Sequence, residues 1–299
     1  MEYQKVKKLA FLTSNNFDQV IAQANGKFSD EYELLKPLFG ERGVELEKKT
    51  WDSQTDWNQY SGLLIKAAWD YVEKQIEFRA FLKKAQENNL HLINPVEVAL
   101  WNLDKSYLLE LQKANLPVAP LFFLHHEDEL TDEFFKKLPN RVVLKPSCSA
   151  GSYHTELIET KSWKNHLELM RKIMGESSLI VQPFLEEIAQ GEYSFFYFGG
   201  EFSHAVKKTP RSGDFRAHSH FGAVNETYYP SHDEINDVHR YVWATPKPVS
   251  YARVDLVKKG NQFLLMELEL IEPYLYLEYA PQPQNAARRF VDSVCDKLS

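Results

Sequence analysis

The sequence predicts an α/β segment followed by a mixed α+β segment, and three observations carry that division. Residues 1–95 alternate strand-length apolar runs with longer amphipathic stretches. From residue 96 that rhythm gives way to shorter strands with glycine-centred hairpin signals. With 299 residues, 43 % of them hydrophobic and 26 % charged, the chain has apolar material for about two domains.

In the first segment "LAFLT" (9–13), "VELEKKTW" (44–51), "GLLIKAAW" (62–69) and "LHLIN" (90–94) read as strands. "SDEYELLKPLFGERG" and "EKQIEFRAFLKKAQENN" read as the helices between them, the first capped by Ser29 and stopped by Gly43. Such a βαβα order predicts a parallel sheet with helices on its faces and a ligand near the strand carboxyl ends. No GxGxxG follows the first strand, so the sequence gives no support for a dinucleotide site there.

The second segment opens with a helix, "LDKSYLLELQKANL", a strand, "VAPLFFL", and a short helix, "DEFFKKL". "RVVLKPS" and "ELIE" follow as strands, "KSWKNHLELMRKIM" as a helix and "SLIVQPFL" as a strand. "YSFFYFGGEFSHAVKK" reads as two strands around the two-residue turn Gly199-Gly200. In "SHDEINDVHRYVW", Ser231 and Glu234 have capping-box spacing, and Ile235, Val238 and Val242 share a helical face. "YARVDLV" and "FLLMELELI" form a second hairpin around "KKGNQ", and an amphipathic helix near 284–298 ends the chain.

A net charge of −7 without a long basic run argues against a nucleic-acid partner. Cys148 and Cys295 are too far apart in sequence to suggest a disulfide framework or zinc spacing, so a reducing cytoplasm is expected. No stretch approaches the ~20 apolar residues of a membrane span, and "MEYQKVKKLAFLTSNN" has no signal-peptide core.

Chemistry concentrates in "FLLMELELIEPYLY" (263–276), an apolar run carrying Glu267, Glu269 and Glu272 with no Lys or Arg inside it. Strand alternation puts Glu267 and Glu269 on one face about 7 Å apart, with Glu272 on the other. Two carboxylates that close on a half-buried face repel and lose hydration, so a positive group is expected between them. In "SYARVDLV", Arg253 and Asp255 share a face, and an odd turn in the hairpin would bring Asp255 beside the two glutamates. Three carboxylates on adjacent strands suit a hard divalent cation such as Mg²⁺. They equally suit ion pairs with Arg253 and nearby lysines on a solvated sheet.

Lys145 ends the strand of "RVVLKPSCSAGSYHT", and the small-residue loop "SCSAGS" after it lets backbone N–H groups approach an anion closely. A plain strand–turn–strand with a surface lysine gives the same pattern, and the Walker order is absent. Lys105 falls in or near the first turn of "LDKSYLLEL", where the helix dipole disfavours a cation unless an anion lies nearby.

In this order, Lys105, "VLKPSCSAGS", "LIVQPFL", "KKTPRSGDFR", "YARVDLV" and "MELEL" resemble the ATP-grasp superfamily. "WDY" (69–71), "NPVEVALWNLDKSYL", "KPSCSAGSYHT", "GEFSHAVKK" and "ELELIEP" are similar to its O-ureido-D-serine cyclo-ligase group, which acts in D-cycloserine biosynthesis. The resemblance covers nearly the whole chain. It implies an ATP-grasp fold with a Rossmann-like N-terminal substrate domain over 1–95 and an ATP-grasp domain over 96–299. Within the latter it implies a lid subdomain at about 117–181 and a catalytic antiparallel-sheet subdomain at about 182–299.

By the same resemblance Lys105 and Lys145 contact nucleotide phosphates, and the loop with Ser149 and Gly151 closes over them. Gln182, Pro183, Phe184 and Leu185 form the hinge that reads adenine, with Glu192 nearby. Asp255, Glu267 and Glu269 hold Mg²⁺, while Lys207, Arg216 and Arg253 face the γ-phosphate and the substrate carboxylate. Lys66, Trp69, Asp70 and Tyr71 belong to the substrate pocket, although "AAWDY" also fits a packing turn. The implied activity is ATP-dependent joining of a carboxylate to an amine, between molecules or within one, through an acyl phosphate. The expected partner is a small amino-acid-like or peptide-like substrate, with no nucleic acid or membrane, and a homodimer is an admitted assembly.

The sequence departs from the pattern in two places. Glu269 stands where the superfamily often has Asn, adding a negative charge that favours tighter metal binding or two ions. His218 and His220 stand where related sequences tend to have glutamines, and two histidines alone fall short of a zinc site. A catalytically degenerate nucleotide-binding regulator or scaffold is the competing reading. Retention of both lysines and all three acids argues against it.

Overall fold

Leu9, Ala10, Phe11 and Leu12 are apolar without interruption, as expected of a strand covered on both faces, and all four are buried. In the computed structural model, which describes residues 6–24, 29–211, 213–217 and 222–298, they form the centre of a parallel sheet. Its elements are β1 (Lys7–Thr13), α1 (Phe17–Gln23), α2 (Glu31–Glu41), β2 (Val44–Thr50), β3 (Gly62–Ala67) and α3 (Gln75–Glu87). The strand order is β2-β1-β3, all parallel.

Three details differ from the sequence reading. Asp30, not Ser29, caps α2, its Oδ1 accepting from the backbone N–H groups of Tyr32 and Glu33 at 3.0 and 3.3 Å. Gly43 ends that helix as expected, in the left-handed region at φ +70°. "LHLIN" is not a full strand. Only Leu92 makes a parallel bridge, to Leu63, because Pro95 follows at once and starts the next helix. The short α1 lay unrecognised in a stretch where only Phe17 is buried.

The chain continues through α4 (Val96–Asn102), α5 (Tyr107–Lys113), β4 (Phe122–Leu124), α6 (Asp132–Lys136), β5 (Arg141–Pro146), β6 (Glu156–Glu159), α7 (Leu167–Glu176) and β7 (Leu179–Pro183). Strands β4-β7-β5-β6 form an antiparallel sheet. One helix had been expected across 103–116. Instead Asp104 accepts from the backbone N–H of Ser106 at 2.9 Å, and this local turn separates α4 from α5. Lys105 therefore lies in the turn, and its own N–H donates to the Ser147 carbonyl at 2.8 Å.

The last elements are β8 (Glu192–Phe198), β9 (Glu201–Thr209), β10 (Val224–Tyr228), α8 (His232–Trp243), β11 (Tyr251–Lys259), β12 (Gln262–Glu269) and α9 (Pro283–Cys295). Their strands form an antiparallel sheet in the order β10-β9-β8-β11-β12. Gly199 and Gly200 take φ of +60° and +85°, which suits the tight β8–β9 turn. The capping box of Ser231 and Glu234 is present on α8.

The hairpin β11–β12 reaches the expected face by an unexpected route. Lys259 pairs with Gln262, so the turn is two residues, Gly260-Asn261, and even. A bulge then skips Met266, setting Asp255 opposite Glu267 and Arg253 opposite Glu269. The odd residue sits in the strand rather than in the turn.

β12 is the last strand of its sheet, and its free edge is closed by buried side chains. Asn102 donates to the Leu268 carbonyl at 2.7 Å and accepts from the Leu270 N–H at 2.9 Å. Tyr107 Oη accepts from the Leu268 N–H at 2.8 Å, and Asn94 donates to the Leu270 and Tyr251 carbonyls at 2.7 and 2.9 Å. Helix α9 packs Phe290, Val291 and Val294 into a core shared by Phe11 and Phe39 of the first segment and Phe196 and Phe198 of β8. Among the described residues no helix is long and apolar enough to cross a membrane.

Asn102→Ala leaves the buried Leu270 N–H without its partner and removes one of the two donors on the Leu268 carbonyl, and should cost about 1–3 kcal/mol. Chemical denaturation checks this. A loss under about 0.5 kcal/mol, the usual range for a surface change, would show that the edge does not depend on the amide.

Candidate active site

Period-two alternation in four neighbouring strands collects charge on one face of the five-stranded sheet. Glu192 and Ser194 come from β8, Lys208 from β9, Arg253 and Asp255 from β11, and Glu267 and Glu269 from β12. Arg253, only 5 % exposed, donates from Nε to Asp255 at 3.0 Å, from Nη2 to Glu269, and from Nη1 to the Tyr274 carbonyl at 3.2 Å. Lys208 bridges Glu192 and Asp255, the latter at 3.3 Å, and Ser194 also donates to Asp255. Lys105 pairs with Glu267 at 3.1 Å and donates to the Ser149 carbonyl at 2.5 Å, while Lys145 donates to Gln182 Oε1 at 3.0 Å.

Burial and pairing compete at each group. Burial pushes Asp255 up, but Arg253 and Lys208 outweigh it and hold the carboxyl down at about 2. Glu267 is likewise lowered against its burial by Lys105 and Lys145. Glu269 goes the other way, because burial, assisted by Glu267 and Asp255, prevails over Arg253 and raises it to about 7. Burial lowers Lys145 to about 8. Lys208, held between two acids, is raised despite its burial.

The face opens into two adjoining cavities. The first, of about 120 Å³, is lined by Lys105, Lys145, the loop Ser149–Ser152, Gln182–Leu185, Glu192, Arg216, Asp255 and Glu267. The second, of about 310 Å³, is lined by Lys66, Trp69, Arg253, Glu269 and Glu272 with an apolar wall from β1 and α1. Ala150 and Gly151 line both, so the small-residue loop stands between them. Gly151 at φ +59° has no atom within 4 Å of where a Cβ would lie, so its need for glycine is conformational.

Not every expected residue comes to this place. Lys207 lines neither cavity. Alternation turns it to the opposite face of β9, beside Gly191, where it pairs with Glu226 at 3.4 Å, and its neighbour Lys208 takes the acid face. Asp70 is engaged away from the cavities, accepting from Trp51 Nε1 and from Lys74, each at 2.7 Å. Tyr71 lines only a small recess with Lys105, Glu269 and Glu272. Arg216 is paired with Asp214 at 2.9 Å at the rim of the first cavity. His218 and His220 lie outside the described residues.

Sequence alternation assigned Glu272 to the far face, but β12 ends at Glu269 and the chain then turns, bringing Glu272 back beside it. A glutamate directly before Pro273 in a run without cations was the signal. Lys208 was available as the second lysine of the pair in "HAVKK".

A divalent cation asks for hard oxygen donors, and Asp255 and Glu267, paired across β11 and β12 and facing the first cavity, supply that chemistry with Glu269 next in register. Among the described residues no three His, Cys, Asp or Glu side chains converge as a ready cage. Each acid is instead drawn to a lysine or arginine. Carboxylates held by lysines fit a cation that arrives together with an anion able to take those lysines.

Residues 9–94 match the family model for the N-terminal domain of D-cycloserine synthetase DcsG, and residues 111–241 match that for the ATP-grasp domain of prokaryotic glutathione synthetase. The second match places an ATP-grasp domain in this chain. Over 289 residues it is 26 % identical to the cycloserine biosynthesis protein DcsG of Streptomyces lavendulae, covering 86 % of this chain and 90 % of that one. The crystal structure of D-cycloserine synthetase DcsG superposes with a TM-score of 0.82 at 22 % identity, over 98 % of this chain and all of that one. D-alanine–D-alanine ligase from Bacillus anthracis, in complex with ATP, gives 0.68 at 13 % identity over 98 % and 97 % of the two chains. The structural likenesses establish the shared ATP-grasp fold, and ATP-grasp ligases use ATP and typically Mg²⁺.

The two lysines of β9 offer a direct test of the face assignment. Lys208→Met strands two buried acids and should destabilise the ATP-grasp chain by about 3–5 kcal/mol. Lys207→Met removes a partly exposed pair and should cost under about 1 kcal/mol. Urea unfolding of both variants reads the difference, and equal losses would contradict the assignment.

Proposed function

We propose that this protein is an ATP-dependent carboxylate–amine ligase that activates a small amino-acid-like substrate as an acyl phosphate. The observation that carries the reading is the continuous row of buried charges, from Lys105–Glu267 through Asp255 to Arg253–Glu269, underlying two adjoining cavities. In this reading the first cavity takes ATP and the second takes the substrate.

Gln182, Pro183, Phe184 and Leu185 would offer backbone groups and apolar surface to the base at the inner end of the first cavity. Lys105, Lys145 and Arg216 would meet phosphate oxygens, with Gly151 allowing the loop backbone to close over them. Asp255, Glu267 and Glu269 would hold Mg²⁺, which supplies neutralisation of phosphate charge when bound. Phosphoryl transfer depends mainly on positioning and charge neutralisation, and both are within reach of these side chains.

The substrate carboxylate, presented from the second cavity past Arg253, attacks the γ-phosphorus. An O–P bond forms, the bond to the ADP oxygen breaks, and ADP leaves. A neutral amine then attacks the acyl carbon, forming C–N as the C–O bond to phosphate breaks. Phosphate departs and the amine proton passes to solvent or to a nearby carboxylate. Arg253 is placed to stabilise oxyanion charge. With both groups in one molecule the product is a ring, as the likeness to DcsG favours, and with two molecules it is an open amide. Mass analysis of products separates these outcomes.

Mg·ATP should raise the melting temperature, by the equivalent of ~2.7 kcal/mol at one hundred times Kd, and Lys145→Ala and Glu267→Gln should each lose that shift while staying folded. Retained shifts in both variants would sink the residue roles. No shift in folded wild type would favour the degenerate scaffold.

Lys145, at about 8, is partly neutral in the free protein at mildly alkaline pH. A phosphate beside it favours the ammonium form, so its pKa rises on binding. ATP binding near pH 8.5 should therefore take up a fraction of a proton, and affinity should fall as pH rises through about 8. Calorimetry in Tris and HEPES, which differ in ionisation enthalpy, measures the uptake. Its persistence in Lys145→Met would assign it elsewhere.

A further inference from the structure

The second cavity contains a buried carboxyl group that nothing in the ligase reading uses. Glu272 is 7 % exposed and lines the cavity, yet among the described residues it has neither a hydrogen bond nor an ion pair. Every other charged group there is engaged. Lys66 pairs with Glu31 at 2.8 Å and donates to the Pro273 carbonyl, Glu31 accepts from the Leu275 N–H at 2.6 Å, and Arg253 holds Glu269. The side chain left without a partner is a carboxyl group, which burial and the neighbouring Glu269 hold well above its usual range although Arg253 and Lys66 act against them.

The opposite wall is apolar. Phe11, Phe17, Val20, Ile21 and Trp69 line it, with the Phe17 and Trp69 rings 5.6 Å apart. A buried carboxyl without a partner resists ionisation, and a ligand cation beside it restores the charge and complements it. Mg²⁺ suits this place poorly, because it demands about six oxygen ligands and the wall offers ring carbons. An ammonium on an apolar body satisfies both sides, since ring faces also attract cations.

We infer that the second cavity takes a substrate bearing a primary ammonium group held by Glu272 and an apolar body lying against Phe17, Ile21 and Trp69. The inference rests on the ligase reading and narrows its substrate to amino acids or amines with a hydrophobic side chain. A small, wholly polar substrate would leave the aromatic wall uncovered.

Probe compounds test each half without identifying the natural substrate. In the presence of Mg·ATP, thermal shift and calorimetry are run with phenethylamine, both enantiomers of phenylalanine, 3-phenylpropionate and serine. Phenethylamine and one phenylalanine enantiomer should bind, with 3-phenylpropionate and serine about tenfold weaker or worse. Glu272→Gln should weaken phenethylamine by about tenfold and leave the Mg·ATP shift unchanged. Equal binding of 3-phenylpropionate and phenethylamine removes the ammonium claim, and equal binding of serine and phenylalanine removes the apolar one. Displacement of phenethylamine by Mg²⁺ alone would make Glu272 a cation ligand and overturn the inference. Should Glu272→Gln not fold, the wild-type series decides by itself. Failure of the probes alongside an intact Mg·ATP shift overturns this inference alone, whereas loss of both overturns the ligase reading as well.

Discussion

Arg253 reaches Asp255, Glu269 and the Tyr274 carbonyl from a buried position, so that one guanidinium holds an acid of β11 and an acid of β12 together. A planar fork with several fixed donors can serve three acceptors at once, which a lysine ammonium on a flexible stem does less well. Burying such charges costs several kcal/mol per ion before pairing, so the arrangement survives only if nearly every charge finds a partner. The bulge at Met266 is part of that solution. Without it Asp255 would face Met266, and Glu267 would turn away from the cations.

The same requirement explains the treatment of β12. An edge strand carrying buried acids has to be fixed in register, because a one-residue slip would send every side chain to the other face. Asn94, Asn102 and Tyr107 provide that fixation by binding the backbone on either side of Glu269. Asn102 and Tyr107 flank the turn that carries Lys105, so the groups that hold the strand also place the lysine paired with Glu267. Local structure, edge protection and site geometry thus depend on the same few side chains.

Most strands and both hairpins were legible, because runs such as "LAFLT" and "SLIVQPFL" bury both faces and the glycines of Gly199-Gly200 and Gly260-Asn261 mark tight turns. The capping box on α8 was legible because it is a local hydrogen-bond exchange. What escaped depended on other parts of the chain. The bulge answers to the acids across the hairpin, and the break between α4 and α5 to Asp104, which also accepts from Ser147 Oγ of the distant loop. The choice of Lys208 over Lys207 follows from β8–β9 register, invisible in a doublet of identical residues. Glu272 was misplaced because alternation was continued past the end of the strand. The family resemblance named residues that line the first cavity, and although its motif "ELELIEP" contains Glu272 it gave that acid no role.

The charges also bear on the order in which ligands enter. In the free protein Lys105 is spent on Glu267, and Lys145 lies near the same acid, so the groups assigned to phosphate and to Mg²⁺ neutralise one another. On the ligase reading, a metal alone would have to displace a lysine into a confined, positively charged space, and ATP alone would draw the lysines away and leave the acids unpaired. Both steps are unfavourable in a medium of low dielectric. Arriving together, the nucleotide takes the lysines and the cation takes the acids, and no buried charge is left without a partner. On the same reading Arg253 and Lys208 hold Asp255 throughout, which keeps the acid face in register while Lys105 and Lys145 exchange partners. On the ligase reading the ion pairs of the free protein therefore act as placeholders that favour Mg·ATP over either component.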